Sequence, residues 1–384
     1  METLLWSVMI LTTSCIIAFL LPFLSQNSTF ILPPKAHGVP IISTLLWLQK
    51  TTIEARNTLQ KLHLKLGPII TIPIISHPFI FISTSSLAHQ ALIQNGAIFS
   101  NRPIALSTSK ILTSNQHNIS SASYGPIWRL LRRNLTHNIS SASLFTLQLS
   151  DNNGTKRNLS EEELVTICSE FLNAGTDTTS TALQWIMANL VKYPNIQDKL
   201  VQEIKQVVGE EAEEVKENEL CKIKHLKAIV LEGLRRHPPS YFTLPHAVTK
   251  EVNLGGYTVP ENAVVFFTVA EMGWDPLVWE NPMEFKPERF LSGDEEFDMS
   301  GSREIKMMPF GAGRRICPAV RMAMLHLEYY VANLVWNFEW GAVDGYEVDL
   351  SEKQEFTVVM KHPLQTRISR RPRIKQHLQD SIVY

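Results

Sequence analysis

The chain has 384 residues, 44% of them hydrophobic and 19% charged, a balance that builds a packed core and excludes collagen-like, mucin-like or wholly disordered chains. Its 36 basic side chains against 37 acidic ones leave no overall field to draw in nucleic acid, so any charge-based docking is local. Four cysteines, at positions 15, 168, 221 and 317, are too few and too scattered for a disulfide framework or a paired-thiol metal site, the usage of a reducing compartment.

From Leu4 to Leu24 no residue is charged, a run of 21 residues long enough to cross a hydrocarbon layer of roughly 30 Å. Residues 1–25 are therefore predicted to be an uncleaved transmembrane anchor. Positive charge follows the run (Lys35, Lys50, Arg56) and is absent before it, which places the rest of the chain in the cytosol. Residues 26–45, with Pro33, Pro34 and Pro40, read as a proline-containing hinge, and 46–384 as one catalytic body. Within it, Ile69 to Ile82 is rich in β-branched and aromatic residues with a break at His77-Pro78, predicting two short strands and a hairpin. Apolar periodicity predicts helices over 161–192, 195–208, 219–236 and 318–338, and the irregular stretch 239–310 holds a short β-type run from Ala263 to Val269. The product is a mainly α protein with a small β-sheet. His-Asn-Ile-Ser-Ser-Ala-Ser occurs at 117–123 and again at 137–143, and two copies do not make a solenoid.

One run concentrates the chemistry: Phe310-Gly311-Ala312-Gly313-Arg314-Arg315-Ile316-Cys317-Pro318, ahead of a helical pattern. Glycines allow a tight turn close to a flat cofactor, and Pro318 suits a first helical turn, so Cys317 is predicted at a helix N-terminus. There the macrodipole and two adjacent arginines favour a thiolate, a soft anionic ligand suited to haem iron. Ala174-Gly175-Thr176-Asp177-Thr178-Thr179 places poor helix formers in the middle of a helical pattern, which predicts a functional kink. Glu232 and Arg235 lie three apart on one helix face, a spacing common on solvated surfaces. Trp128 and Arg132 offer an indole N–H and a guanidinium, both donors to a carboxylate.

Together these motifs resemble the cytochrome P-450 family, in the family's order and over nearly the whole chain. Phe310 to Ala319 is similar to its haem-binding signature, with Ala319 where the last glycine usually stands. Finer similarity is to plant microsomal A-type members, with the stretch 164–316 resembling family 89, subfamily A. The resemblance implies haem b (iron protoporphyrin IX) ligated by Cys317, with Phe310, Gly311 and Gly313 shaping the ligand loop. It implies propionate contacts from Trp128, Arg132, Arg315 and His246, and a structural network of Glu232, Arg235 and Arg289. Ala174 and Gly175 would border the haem, and Asp177 and Thr178 would relay protons in dioxygen activation. Its reaction would be monooxygenation of a small hydrophobic substrate with O2. Electrons would come from an NADPH-dependent cytochrome P-450 reductase, because the chain has no dinucleotide fingerprint of its own. By the same resemblance it is a single-pass protein of the endoplasmic reticulum membrane with its catalytic domain facing the cytosol.

Against that pattern, only 30 residues separate Arg133 from Leu164, where the family has several helices that form the distal wall of the pocket. The chain therefore reads as lacking several central helices, internally truncated near 134–163, with the second heptapeptide copy at the junction. Poor haem retention and low turnover would follow. The alternative to an active monooxygenase is a catalytically inactive haem-binding remnant or a misassembled gene product.

Overall fold

The computed structural model describes residues 31–36, 47, 49–74, 77–141, 148–150, 156–291 and 297–372. Its elements begin with α1 (Thr52–Leu66), β1 (Ile69–Ile74), β2 (His77–Ile82), α2 (Ser85–His89), α3 (Ser107–Leu112), α4 (Pro126–Ser141), β3 (Gln148–Ser150) and β4 (Lys156–Asn158). The central helices are α5 (Glu161–Lys192), α6 (Pro194–Val208), α7 (Glu217–Leu220) and α8 (Lys224–Arg236). Then come β5 (His246–Ala247), β6 (Val252–Leu254), β7 (Tyr257–Val259), β8 (Val264–Phe267) and α9 (Val269–Gly273). The chain closes with α10 (Val320–Asn337), β9 (Phe338–Ala342), β10 (Glu352–Gln354), β11 (Val358–Met360) and β12 (Thr366–Arg370).

The longest helix, α5, starts at Ser160, whose hydroxyl accepts from the Glu163 amide while the Glu163 carboxylate accepts from the Ser160 amide. Three glutamates in its first turn complement the positive end of the helix. Its C-terminal half is buried through Ile186 and Leu190 in a core with Leu200, Ile229 and Val331 of α6, α8 and α10, while Trp185 and Val191 pack on its other side against Val348 and Met360. Its N-terminal half is different: residues 172 to 177 are exposed. Helix α5 is therefore buried at both ends of its length and bare over its middle turns, 172 to 177.

A second core forms around the four-stranded sheet, ordered β1-β2-β8-β5. β1 and β2 pair antiparallel with Ile69 opposite Ile82, while β8 joins β2 in parallel with Phe79 opposite Val264. Phe79, Phe81 and Phe266 stack on one face, the cross-strand packing that favours aromatic residues in strands.

The predicted helix over 219–236 is instead two, because Ile223 leaves helical geometry (φ −98°, ψ 85°) and buries its side chain between α7 and α8. The predicted helix from 318 begins later, at Val320. The expected kink at 174–179 is not a break: α5 is continuous from Glu161 to Lys192, and the Thr178 hydroxyl bonds back to the Ala174 carbonyl at 2.6 Å. In the hinge, Thr71 donates to the carbonyls of Pro33 and Pro34, so this part of the spacer is fastened to β1. The predicted anchor at 1–25 lies outside the described residues, among which no helix is long and apolar enough to cross a membrane.

The two heptapeptide copies differ in conformation. Residues 117–123 form turns, whereas 137–141 of the second copy continue α4. Identical local sequence takes both forms because long-range partners decide between them.

Candidate active site

Cys317 lies on a loop that turns twice through left-handed glycines, Gly311 (φ 71°) and Gly313 (φ 67°). A side chain on Gly313 would strike the Leu92 carbonyl oxygen at 2.3 Å, whereas the space beside Gly311 is open. The Cys317 amide donates to the Phe310 carbonyl at 2.9 Å, closing the loop, and Phe310 packs on the helical core. Cys317, predicted at a helix N-terminus, sits just ahead of α10, from which the turn Pro318–Ala319 separates it. Ala319 adopts φ −103°, ψ 23°, which alanine takes without strain, so replacing the usual glycine costs nothing here. Burial pushes the Cys317 thiol up, while the Ala319 amide and the Arg132 charge pull it down. The neighbouring arginines do not produce a resting thiolate; a metal cation at the sulfur would deprotonate it.

Three guanidiniums converge beside this loop. Arg315 donates to the carbonyls of Ser100 (2.7 Å), Ile119 (3.2 Å) and Ala122 and lies 4.4 Å above the Trp128 ring. Arg102 donates to the carbonyls of Ser120 (2.7 Å), Leu244 (3.2 Å) and Pro245 (2.7 Å). Burial lowers Arg315 to about 9, with the like charges of Arg102 and Arg132 adding to it, and lowers Arg102 to about 10 against the pull of Glu170. All remain protonated at neutral pH. Glu170 is the carboxylate whose charge acts on Arg102, and the three guanidiniums carry more positive charge than that one carboxylate offsets. His246 is buried next to it, with Nδ1 2.7 Å from the Phe99 carbonyl, and burial and the Arg102 charge hold it neutral, with a pKa of about 3. The Trp128 indole was expected to donate to a carboxylate; it donates to the Ile119 carbonyl at 3.1 Å.

Behind the loop, Glu232 and Arg235 are fully buried and bonded twice, at 2.7 and 2.8 Å. Arg289, in the 3-10 turn Pro287–Phe290, adds a third bond to Glu232 at 3.1 Å, and the Lys286 amide a fourth at 2.7 Å. Arg235 also donates to the carbonyls of Gly273 and Pro282 at 2.7 Å each, so every charge in the cluster is spent on fixing backbone. Structure thus brings Glu232, Arg235 and Arg289 together as expected.

Ala174, Gly175 and Asp177 are exposed on α5, and Thr178 is half-buried. Asp177 borders a cleft of about 280 Å³ with Thr181, Gln184, Phe356 and Thr357, at the small end for a site that encloses an organic ligand. Thr181 and Thr357 are hydrogen-bonded at 2.7 Å and close its floor.

Sequence reasoning passed over Arg102 and Glu170. Arg102 stands alone before a proline with no partner nearby in sequence, and Glu170 looks like one more acid on an exposed helix face. The repeat at 117–123 was the available signal, since its amides donate to Glu170 and its Ser120 carbonyl accepts from Arg102.

A helical body with a small sheet, a cysteine loop turned by glycines and a corner of three arginines match the arrangement expected of a haem-binding oxidoreductase. The chain belongs to the cytochrome P-450 family, whose model matches residues 33–149 and 140–369. It is 39% identical over 480 aligned positions to cytochrome P-450 89A9 of Arabidopsis thaliana, covering 89% of this chain and 94% of that one. It is 38% identical over 209 residues to cytochrome P-450 monooxygenase 76AD131 of Lophophora williamsii, covering 54% of this chain and 41% of that one. A zebra fish cytochrome P-450 structure with abiraterone shares the fold, with a TM-score of 0.71 at 20% identity over 83% of this chain and 100% of that one. The protein is accordingly a monooxygenase-family oxidoreductase with a haem cofactor. The Arabidopsis alignment runs over more positions than this chain has residues, so that relative carries segments without a counterpart here. The two pieces of the family match meet at 140–149, inside the short stretch.

Proposed function

We propose that the chain is an anchored haem-thiolate monooxygenase that inserts one oxygen atom of O2 into a small hydrophobic substrate, using electrons passed from NADPH by a membrane-bound cytochrome P-450 reductase. The observation that carries this reading is the pairing of the Cys317 loop with the Arg102, Arg132 and Arg315 corner, whose charge Glu170 offsets only in part, a donor set suited to an iron and to carboxylates. When bound, haem supplies the activation of dioxygen. Cys317 Sγ would hold the iron, and Phe310, Gly311 and Gly313 would keep that sulfur in place. Arg102, Arg132 and Arg315 take the carboxylates, with Trp128 and His246 packing and orienting them. Glu232, Arg235 and Arg289 stiffen the backbone behind the loop.

On the opposite side, Ala174 and Gly175 leave room over the cofactor face. The Asp177 carboxylate and Thr178 Oγ1 deliver protons there, and the cleft beside Phe356 and Gln184 receives the substrate. The apolar run at Leu4–Leu24 supports an anchor in the endoplasmic reticulum membrane with a cytosolic catalytic body. The short stretch between α4 and α5 supports a missing distal wall, which leaves Asp177 open to water. An inactive remnant is the weaker reading, because each chemistry-bearing motif is present and the buried network behind the loop is complete.

Thr178→Ala tests the proton assignment. In a reconstituted mixture with reductase, its NADPH consumption should persist while product per NADPH falls by about 100-fold, the range for losing a positioned proton donor. Unchanged coupling contradicts the role of Thr178, and NADPH consumption without reductase contradicts the partner.

A further inference from the structure

The first heptapeptide copy is the hub on which the basic corner is built. The Ile119 amide donates to Glu170 Oε2 at 2.9 Å, and the Ser120 amide to Glu170 Oε1 at 2.6 Å. The peptide that gives the Ser120 N–H also carries the Ile119 carbonyl, which accepts from the Trp128 indole at 3.1 Å and from Arg315 at 3.2 Å. The next carbonyl, that of Ser120, accepts from Arg102 at 2.7 Å. A carboxylate on one side of a peptide and a guanidinium on the other polarise it in the same sense, so each bond strengthens the other. Asn118 is buried and its side chain accepts from the Ser121 amide at 3.0 Å, which fixes the turn. His117 Nδ1 bonds Glu163 at 3.0 Å, a second tie to α5.

We propose that Glu170 is a positioning residue for the cofactor: through the 119–120 peptide it aims Arg102 and Arg315 at the haem carboxylates and thereby couples α5 to the haem corner. This rests on the haem reading above and goes beyond it, because Glu170 touches no arginine directly and lies outside every motif of the sequence. Glu170 also offsets part of the mutual repulsion among the three arginines before any cofactor is present. Residues 137–141 of the second copy are helical, so the turn that carries these bonds is that of the first copy.

The test uses the full chain, stripped of haem and titrated with haemin, followed by absorbance and by the reduction potential of the loaded protein. Glu170→Gln keeps the side-chain length but loses the charge and one acceptor. It should weaken haemin binding by about 10- to 100-fold, the usual effect of removing a group that orients a ligand-holding residue. Its reduction potential should rise, since a nearby negative charge is gone. In an Arg102→Lys background the same change should do much less, because both act on one contact. Glu163→Gln, which weakens the His117 tie and the cap of α5 but leaves the 119–120 peptide's bonds in place, should lower stability and leave the potential where it was. Should Glu170→Gln not fold, Glu170→Asp keeps the charge on a shorter arm and should show an intermediate loss of affinity. Wild-type affinity and potential in the Glu170 variants, or effects additive with Arg102→Lys, overturn the proposal while leaving the haem reading intact. A wild-type chain that takes up no haemin overturns both.

Discussion

His246 and His237 are both sealed from water and both held neutral, His246 at about 3 and His237 at about 4, in each case chiefly by burial. His237 stacks flat on Trp185 at 4.1 Å, with Nδ1 3.7 Å from Glu352. Unfolded histidine titrates near 6.5, so between that value and the folded ones the unfolded chain holds protons that the folded chain refuses. Stability from this source is complete above about pH 6.5 and is lost as pH falls toward 4 and 3. Between pH 6.5 and 5 each histidine should cost about 2 kcal/mol. Urea unfolding at the two pH values measures it, and His237→Phe, which keeps the stacked ring, should remove about half of the loss. A pH-independent midpoint contradicts the burial argument.

At the scale of elements, the join between α8 and the 3-10 turn Pro287–Phe290 rests on Glu232. Removing it strands Arg235 in a dry site, which costs about 3–5 kcal/mol for a buried pair deprived of one partner. Glu232→Ala should therefore unfold at much lower urea and lose haem before it unfolds; a midpoint near wild type would mean that water reaches Arg235. Sequence made this network legible only through family resemblance, since an acid and a base three apart are ordinary on a wet helix face. The span of α5 was readable from residues alone: Ser160 with Glu163 marks its start and Lys192-Tyr193-Pro194 its end. The break at Ile223 was not readable, because the side chain leaves the helix for a pocket made by distant residues. The same holds for Trp128, whose partner is a carbonyl nine residues earlier, and for Glu170, whose partners are amides fifty residues away.

Considered whole, the described residues pack around the four-stranded sheet and the C-terminal half of α5 and leave several large apolar side chains bare. Ile104 (86% exposed), Leu106 (76%), Ile111 (81%), Val165 (62%) and Leu172 (62%) stand in water, the last two on α5. Apolar surface of this extent favours self-association. Val165→Lys with Leu172→Lys should change unfolding stability by less than about 0.5 kcal/mol each, as exposed positions do, and should reduce aggregation seen by light scattering. Loss of stability instead would show that those side chains are covered. All of these features serve one claim, that Cys317 holds a haem iron through its sulfur. The reduced carbon-monoxide difference spectrum of the full chain tests it most directly, with Cys317→His as the control. A thiolate-type band from the wild type that is lost in the variant is the predicted result; a histidine-type band from the folded wild type contradicts it.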